Sequence, residues 1–264
     1  MGRTTKIDWC DATWNPVTGC LHGCEYCYAR RIAERFRYHE NDHRLHDLNV
    51  PIPKETETGE RGPIQAYPYG FAPTMHRYRL GIPEKWKDSR VIFVCSMADL
   101  FGDWVPDEWI TEVLDSCVEA PQHRYLFLSK YPQRIMQYED KHPLMMPDRE
   151  NFWYGTTVTA NADYERAFDL INWHDYNGAN TFVSVEPLLG PIWKNGRERI
   201  VQSQWVIIGA ETGNRRGKVS AQREWVDNIV NDCTKLGTPV FMKSSLEALM
   251  GPDFRQEFPW EVNQ

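Results

Sequence analysis

The chain has 264 residues, of which 41% are hydrophobic and 25% charged, enough for one large α/β domain or two small ones with a full core. Its net charge of −7 argues against indiscriminate nucleic-acid binding and leaves room for a local basic groove. No apolar run reaches membrane-spanning length, and residues 1–6 lack the apolar core of a signal peptide, so the expectation is a cytoplasmic protein without membrane contact. Seven cysteines, an odd number with three clustered, suit a reducing compartment and a metal site better than a disulfide framework. Some of the eleven tryptophans are expected to line a pocket.

Residues 7–19 predict a short first strand that runs through Trp14, Pro16 and Thr18 straight into Cys20-Leu21-His22-Gly23-Cys24-Glu25-Tyr26-Cys27. Ala29, Ile32, Ala33 and Phe36 at helical spacing predict a helix over 28–36. The cysteines therefore fall at the C-terminal end of a strand, where barrel-type α/β enzymes place their chemistry. From 38 to 89 the pattern breaks down into His, Pro, Gly and charge, and a loop this long inside a compact domain is usually functional or mobile. It reads as an irregular insertion covering one face of the site, with Met75, His76 and Tyr78 toward its inner side. The competing reading is a surface excursion over 40–65. Its histidines, among them His39, His43 and His46, have no metal-ligand spacing.

Beyond it the alternation is regular. Strands are expected at 90–96, 125–130, 152–158, 181–186, 205–210 and 239–243, with helices at about 107–119, 132–140, 162–171 and 223–236. Near-continuous apolar strands between helices call for a parallel sheet covered by helices. With the first strand this makes about seven units, and an α/β partial TIM-like barrel of the (β/α)6 type is favoured over an open doubly wound sheet. The expected organisation is one barrel domain over 1–245 and a C-terminal tail over 246–264.

Three thiolates within one short loop can converge on one metal centre. A closed structural zinc site takes four protein ligands, and an all-protein iron–sulfur site takes four cysteines. Cys20, Cys24 and Cys27 can instead hold three irons of a 4Fe–4S cluster and leave the fourth open. In radical S-adenosylmethionine (SAM) enzymes the amino and carboxylate groups of SAM fill that position, and C-x3-C-x2-C with an aromatic at Tyr26 is the spacing that superfamily uses. Rival readings stay open: a Cys3His zinc site completed by His22 in a binding module, or a cluster-bearing redox-sensing or nucleic-acid-binding protein without turnover. Merely packed thiols fit poorly, because Gly19, Gly23 and Glu25 are loop neighbours rather than core.

Nearly every strand is expected to end in polar residues: Ser96 with Asp99, Ser129 with Lys130, Thr157 with Thr159, Ser184 with Glu186, then Glu211, and Lys243 with Ser244. In a barrel these ends converge on one mouth. Singly, Asp99 reads as a turn cap, Lys130 as a solvated strand end and Glu186-Pro187 as a strand terminator. Together they meet the needs of SAM. Lys130 is the candidate for its carboxylate, Ser96 or Asp99 for its amine, and Thr157 or Glu186 for its ribose. The turn that begins at Gly209 offers close backbone approach to adenine or substrate. His76, Glu211 and Lys243 are candidate substrate contacts. The basic run Arg215, Arg216, Lys218 faces either an anionic substrate or, more plainly, solvent.

The motifs also resemble a known family, the phage-associated Gp37/Gp68 group of uncharacterised radical-SAM-type proteins. The resemblance is carried by W-N-P-x-x-G-C into the cysteine loop (Trp14 to Cys27), F-x-P-x-x-H (Phe71 to His76) and S-M-x-D-L-F (Ser96 to Phe101). It continues with Lys130 before P-x-R, S-x-E-P-L-L-G-P (Ser184 to Pro191) and G-x-E-x-G (Gly209 to Gly213). It ends near residue 243, where the chain reads Phe241-Met242-Lys243-Ser244-Ser245 in place of the group's Lys, Gln and Trp-Gly ending. The resemblance implies a partial barrel with a 4Fe–4S cluster and SAM, distantly similar to spore photoproduct lyase. It implies cleavage of SAM to a 5′-deoxyadenosyl radical that abstracts hydrogen, fed by an external flavodoxin- or ferredoxin-like electron donor. It fixes no substrate, and the phage association makes a nucleic acid or nucleotide the candidate.

Overall fold

The computed structural model describes residues 5–39, 44–55, 61–143 and 150–261. Residues 1–4, the stretches 40–43 (with His43) and 56–60 of the expected insertion, and residues 262–264 of the expected tail lie outside the described residues. The chain opens with β1 (Ala12–Trp14) and β2 (Val17–Thr18), and α1 (Tyr28–Arg35) follows the cysteine loop. Four short strands come next: β3 (His46–Leu48), β4 (Pro53–Glu55), β5 (Arg61–Ile64) and β6 (Thr74–His76). The regular alternation then begins with β7 (Val91–Val94), α2 (Asp107–Val118), β8 (Arg124–Ser129), α3 (Pro132–Lys141), β9 (Phe152–Thr157) and α4 (Tyr164–Asn177). It finishes with β10 (Asn180–Val185), α5 (Lys194–Ile200), β11 (Val206–Ile208), α6 (Arg223–Leu236), β12 (Val240–Met242) and the short α7 (Glu247–Met250).

Seven strands form one sheet in the order β1-β7-β8-β9-β10-β11-β12, with every neighbouring pair parallel. Six βα units and a closing strand thus make a curled half-barrel, as the alternation predicts. The curl is visible in one side chain. Phe93 of β7 and Phe182 of β10 lie three strands apart, about 14 Å in a flat sheet. The ring of Trp9 nevertheless sits 4.6 Å from the first and 6.2 Å from the second.

Strand alternation sorts the side chains into layers. Ile92, Val94, Tyr125, Phe127 and Tyr154 face outward onto Ile110, Val113, Leu114, Ile135 and Tyr138 of α2 and α3. Val183, Val185, Val206, Ile208 and Val240 face outward onto Ile200, Val226 and Ile229 of α5 and α6. The alternate residues Phe93, Leu126, Trp153, Phe182, Ile207 and Phe241 fill the barrel interior, each worth about 1.5–3 kcal/mol when fully buried. Gly155 makes room inside: a Cβ there would lie 2.3 Å from the Phe182 ring.

Four expectations change. The first strand is broken, because Pro16 has no N–H to donate and its carbonyl instead accepts from His76 N at 2.7 Å; the chain leaves the barrel there, and β2 pairs antiparallel with β6. The 38–89 segment holds short strands between its irregular stretches. It carries the fully buried β6, which joins β2 and β3 in a second sheet, and its strands of three or four residues are too short to show a period. Helix α5 lacks a readable apolar face because its seven residues hold four charges and Gly196, whose missing Cβ admits Ile192 and Tyr164. Helix α4 runs past 171 to a left-handed Gly178, whose N–H donates to the His174 carbonyl at 2.7 Å.

The tail folds back under the barrel. Met242 N donates to the Arg255 carbonyl and Glu257 N to the Val240 carbonyl, so the tail runs antiparallel along β12. Phe258 and Trp260 then close the floor against Trp205, 5.7 and 5.3 Å between ring centroids. At the other seam Asp8 accepts from Ser244 N at 2.7 Å, so residues 5–9 bridge the gap between the first and last strands. Gly155→Ala is expected to overpack the interior and lower stability by about 1–3 kcal/mol, read as a reduced urea midpoint at unchanged m-value.

Candidate functional site

A cavity of about 620 Å³ opens at the C-terminal ends of the barrel strands, within the roughly 300–1,000 Å³ typical of small-molecule sites. The cysteine loop forms one wall. Gly19, at φ +87°, lies so close to the insertion that a Cβ would sit 2.2 Å from the Ala72 carbonyl oxygen, so only glycine fits. Gly19 N donates to the Met97 carbonyl at 2.9 Å and Cys20 N to the Phe71 carbonyl at 3.2 Å. The loop then turns, with Cys27 N donating to the Cys24 carbonyl, and the Cys27 sulfur caps α1 by accepting from Arg30 N at 3.3 Å. Cys20, Cys24 and Cys27 are free thiols, partly exposed, and all three line the cavity.

Burial, then the Asp99 carboxylate, pushes the Cys20 thiol up to about 12. A thiolate there needs a compensating positive charge, which a metal centre supplies. Among the described residues no three His, Cys, Asp or Glu side chains are arranged to hold a metal ion. His22 does not join the thiols: its Nε2 lies 2.7 Å from Asp99 Oδ2 and its ring packs 4.9 Å from both Trp104 and Tyr131. Three free thiols of one loop beside a roomy cavity fit the thiolate donor set of an iron–sulfur cluster.

Most of the strand-end residues singled out in the sequence meet here, and several are already committed to protein partners. Ser96 lines the cavity; its hydroxyl donates to Asn15 Oδ1 and its carbonyl accepts from the Tyr28 hydroxyl at 2.8 Å. Asp99, which also lines the cavity, accepts from the backbone N–H groups of Lys130 (2.9 Å) and Phe101 (3.2 Å) and so anchors the loop. The Lys130 ammonium stands 5.7 Å from the Tyr26 ring centroid and makes no ion pair with a described residue. Tyr26 and Thr157 line the cavity. Beside Thr157 in register lies Ser184, whose buried hydroxyl has no hydrogen-bond partner among the described residues.

Glu186 and Lys243, from opposite sides of β11, form an ion pair. It passes over Gly209, where a Cβ would lie 2.9 Å from Lys243 Cδ and 3.1 Å from Glu186 Cγ. Gly209 thus underlies that pair and does not line the cavity. Glu211 is buried, with its oxygens taken by Arg215 at 2.6 and 2.9 Å and by Val219 N at 3.0 Å. Arg215 first of all holds its carboxyl below the usual range, so Glu211 orders its own loop where it lines the cavity. His76 lies outside the cavity lining, buried with Nε2 2.8 Å from Thr18 Oγ1 and Nδ1 3.1 Å from the Tyr78 hydroxyl. The sequence reading missed Tyr28 and the bridging residues Ile7 and Trp9, which also line the cavity. Nothing local marks Ile7 and Trp9, because the strand end they close onto is more than 230 residues away.

A parallel half-barrel with a three-cysteine loop at its C-terminal mouth defines the class: an α/β partial barrel with its candidate site at the strand ends. Residues 4–249 match the family model of the proteins of unknown function DUF5131, and the chain belongs to that family. No curated protein matches the sequence. Among solved structures, a spore photoproduct lyase variant with dinucleoside spore photoproduct is similar at 11% identity and a TM-score of 0.49, over 91% of this chain and 80% of that one. A second variant of that lyase, with bound AdoMet and dinucleoside spore photoproduct, is similar at 10% identity and a TM-score of 0.46, over 96% of this chain and 78% of that one.

Burial pushes His76 down to about 3, well below its unfolded value of about 6.5. Between those values the unfolded chain binds the extra proton, so stability rises with pH and is lost as pH falls below about 6.5. Urea unfolding at pH 7, 6 and 5 is expected to show wild type losing up to about 1.4 kcal/mol more per pH unit than His76→Gln.

Proposed function

We propose that the protein is a radical SAM enzyme in which Cys20, Cys24 and Cys27 hold a 4Fe–4S cluster and SAM occupies the cavity beside them. The observation that carries the reading is the set of three free thiols on a loop that faces a cavity at the mouth of a parallel half-barrel. When bound, the cluster and SAM supply a 5′-deoxyadenosyl radical that takes a hydrogen atom from the substrate, with the electron coming from an external flavodoxin- or ferredoxin-like donor.

The chain's own residues bind and orient. Lys130 meets the SAM carboxylate with a charge-assisted hydrogen bond and stays over the Tyr26 ring, which provides an attractive π face. Thr157 and the unpartnered Ser184 hydroxyl serve the ribose; Glu186 is held back by Lys243. Phe71, Phe93 and Leu128 form the apolar walls that exclude water around a reactive intermediate. Tyr28, through the Ser96 carbonyl, ties the start of α1 to the end of β7.

Anaerobically reconstituted protein is expected to hold about four irons and four sulfides per chain and, once reduced with dithionite, to cleave SAM to methionine and 5′-deoxyadenosine. Cys24→Ala is expected to abolish cleavage while the far-ultraviolet spectrum stays unchanged. Zinc without iron or sulfide, or a loaded cluster that never cleaves SAM, sinks the reading and favours a binding protein. Lys130→Met is expected to weaken SAM binding roughly 10- to 100-fold in equilibrium dialysis, the loss of one hydrogen bond to a charged group.

A further inference from the structure

Helix α1 buries only Ala29 and Ala33, packed against Phe71 and Met97. Its other faces are exposed and unusual for a chain this acidic. Tyr28, Ile32 and Phe36, at i, i+4 and i+8, form one stripe and are 44%, 38% and 53% exposed. Arg31 and Arg35 form an adjacent stripe, also exposed and without ion pairs to described residues. Residues 28–39 hold four arginines against one glutamate, on a protein of net charge −7.

The loop after β11 extends the basic surface. A Cβ at Gly213 would lie 2.8 Å from Arg31 Nη2, so this loop rests against α1. It carries Arg215, Arg216 and Lys218 against the single Glu211. Arg215 is consumed by Glu211 and Glu25, which braces the loop onto the cysteine loop. Arg216 and Lys218 remain exposed and make no ion pair with a described residue. Both segments reach the cavity: Tyr28 and Ile32 line it from one side, Glu211 and Thr212 from the other.

We infer that this rim is the docking surface of a single-stranded polynucleotide, whose backbone runs along Arg31, Arg35, Arg216 and Lys218 while bases stack on Tyr28 and Phe36 and one nucleotide enters the cavity. Exposed apolar stripes mark interaction sites, and cations interleaved with aromatics are the recognition chemistry of unpaired bases on a charged backbone. A duplex hides its base faces from such a platform. An acidic protein partner would use the cations and leave the aromatic stripe idle. The cavity opens within the rim, which puts the bound strand where chemistry takes place. This names the substrate class of the proposed enzyme, and docking itself needs no cofactor.

The test uses the full chain without cofactors and a fluorescent 12-nucleotide single strand, followed by anisotropy across a salt series. Expected is binding whose logarithm falls with log salt at a slope of about −3, four contacts at about −0.7 each. Arg31→Ala and Arg35→Ala, both on the surface, each shallow the slope by about 0.7. Phe36→Ala weakens binding roughly tenfold while the slope is kept. Absence of binding, or equal binding of a polyglutamate of the same charge, of anionic-lipid vesicles or of an acidic flavodoxin, overturns the proposal. So does binding indifferent to all three substitutions. Cluster loading and SAM cleavage are read separately, so loss of strand binding with cleavage intact defeats only the substrate class.

Discussion

The carboxylate of Asp99 accepts from the His22 ring in the cysteine loop and from the backbone N–H groups of Phe101 and Lys130, so one buried anion joins three segments of the chain. The cysteine loop is also attached by backbone bonds to Phe71 and Met97 and by the Glu25–Arg215 pair, and it needs a fixed position relative to the barrel if its sulfurs are to share a centre with a ligand held at the strand ends. Buried carboxylates persist where their lone pairs are filled, and this one is filled by groups drawn from both sides of the cavity. Placement of the thiols, the direction of Lys130 and the position of the Tyr131 ring against His22 all depend on it.

The pairing logic extends around the mouth. Glu186 is matched by Lys243 across Gly209, and Glu211 by Arg215, which also reaches Glu25. The first pair links the ends of two strands that flank β11 and the second braces a single loop, so Glu186 and Glu211, which line the cavity, are each matched by a cation. Among the described residues the Lys130 ammonium, the Ser184 hydroxyl and the thiols are polar groups of the lining without an ion pair or disulfide. A site with few free polar groups between apolar walls is selective because every mismatch leaves a buried group unpaired.

The barrel was legible because its information is local and periodic. The apolar runs of Val91–Val94, Arg124–Ser129 and Phe152–Thr157 are surrounded on both faces, and the helices between them show their apolar stripes. The cysteine spacing was legible for the same reason, since the loop's chemistry lies within a few residues. Glu211 and Arg215, four residues apart, advertise their pairing openly. By contrast, His22 and Asp99 are 77 residues apart and Glu186 and Lys243 are 57 apart; neither partner marks the other until the sheet is built. Strands of two or three residues, such as β2 and β6, carry too few side chains for alternation to show. The break at Pro16 was visible as a residue and not as a change of sheet.

The clasp formed by residues 5–9 has a consequence for how the molecule comes together. Asp8 touches the end of β12, Trp9 reaches Phe93, Phe182 and Trp205, and Trp205 in turn carries Phe258 and Trp260 from the opposite end of the chain. Trp9, Trp205, Phe258 and Trp260 are thus stitched through one aromatic knot at the heart of the fold. Contacts between residues this far apart in sequence close a long loop, so the knot depends on the sheet between them being built.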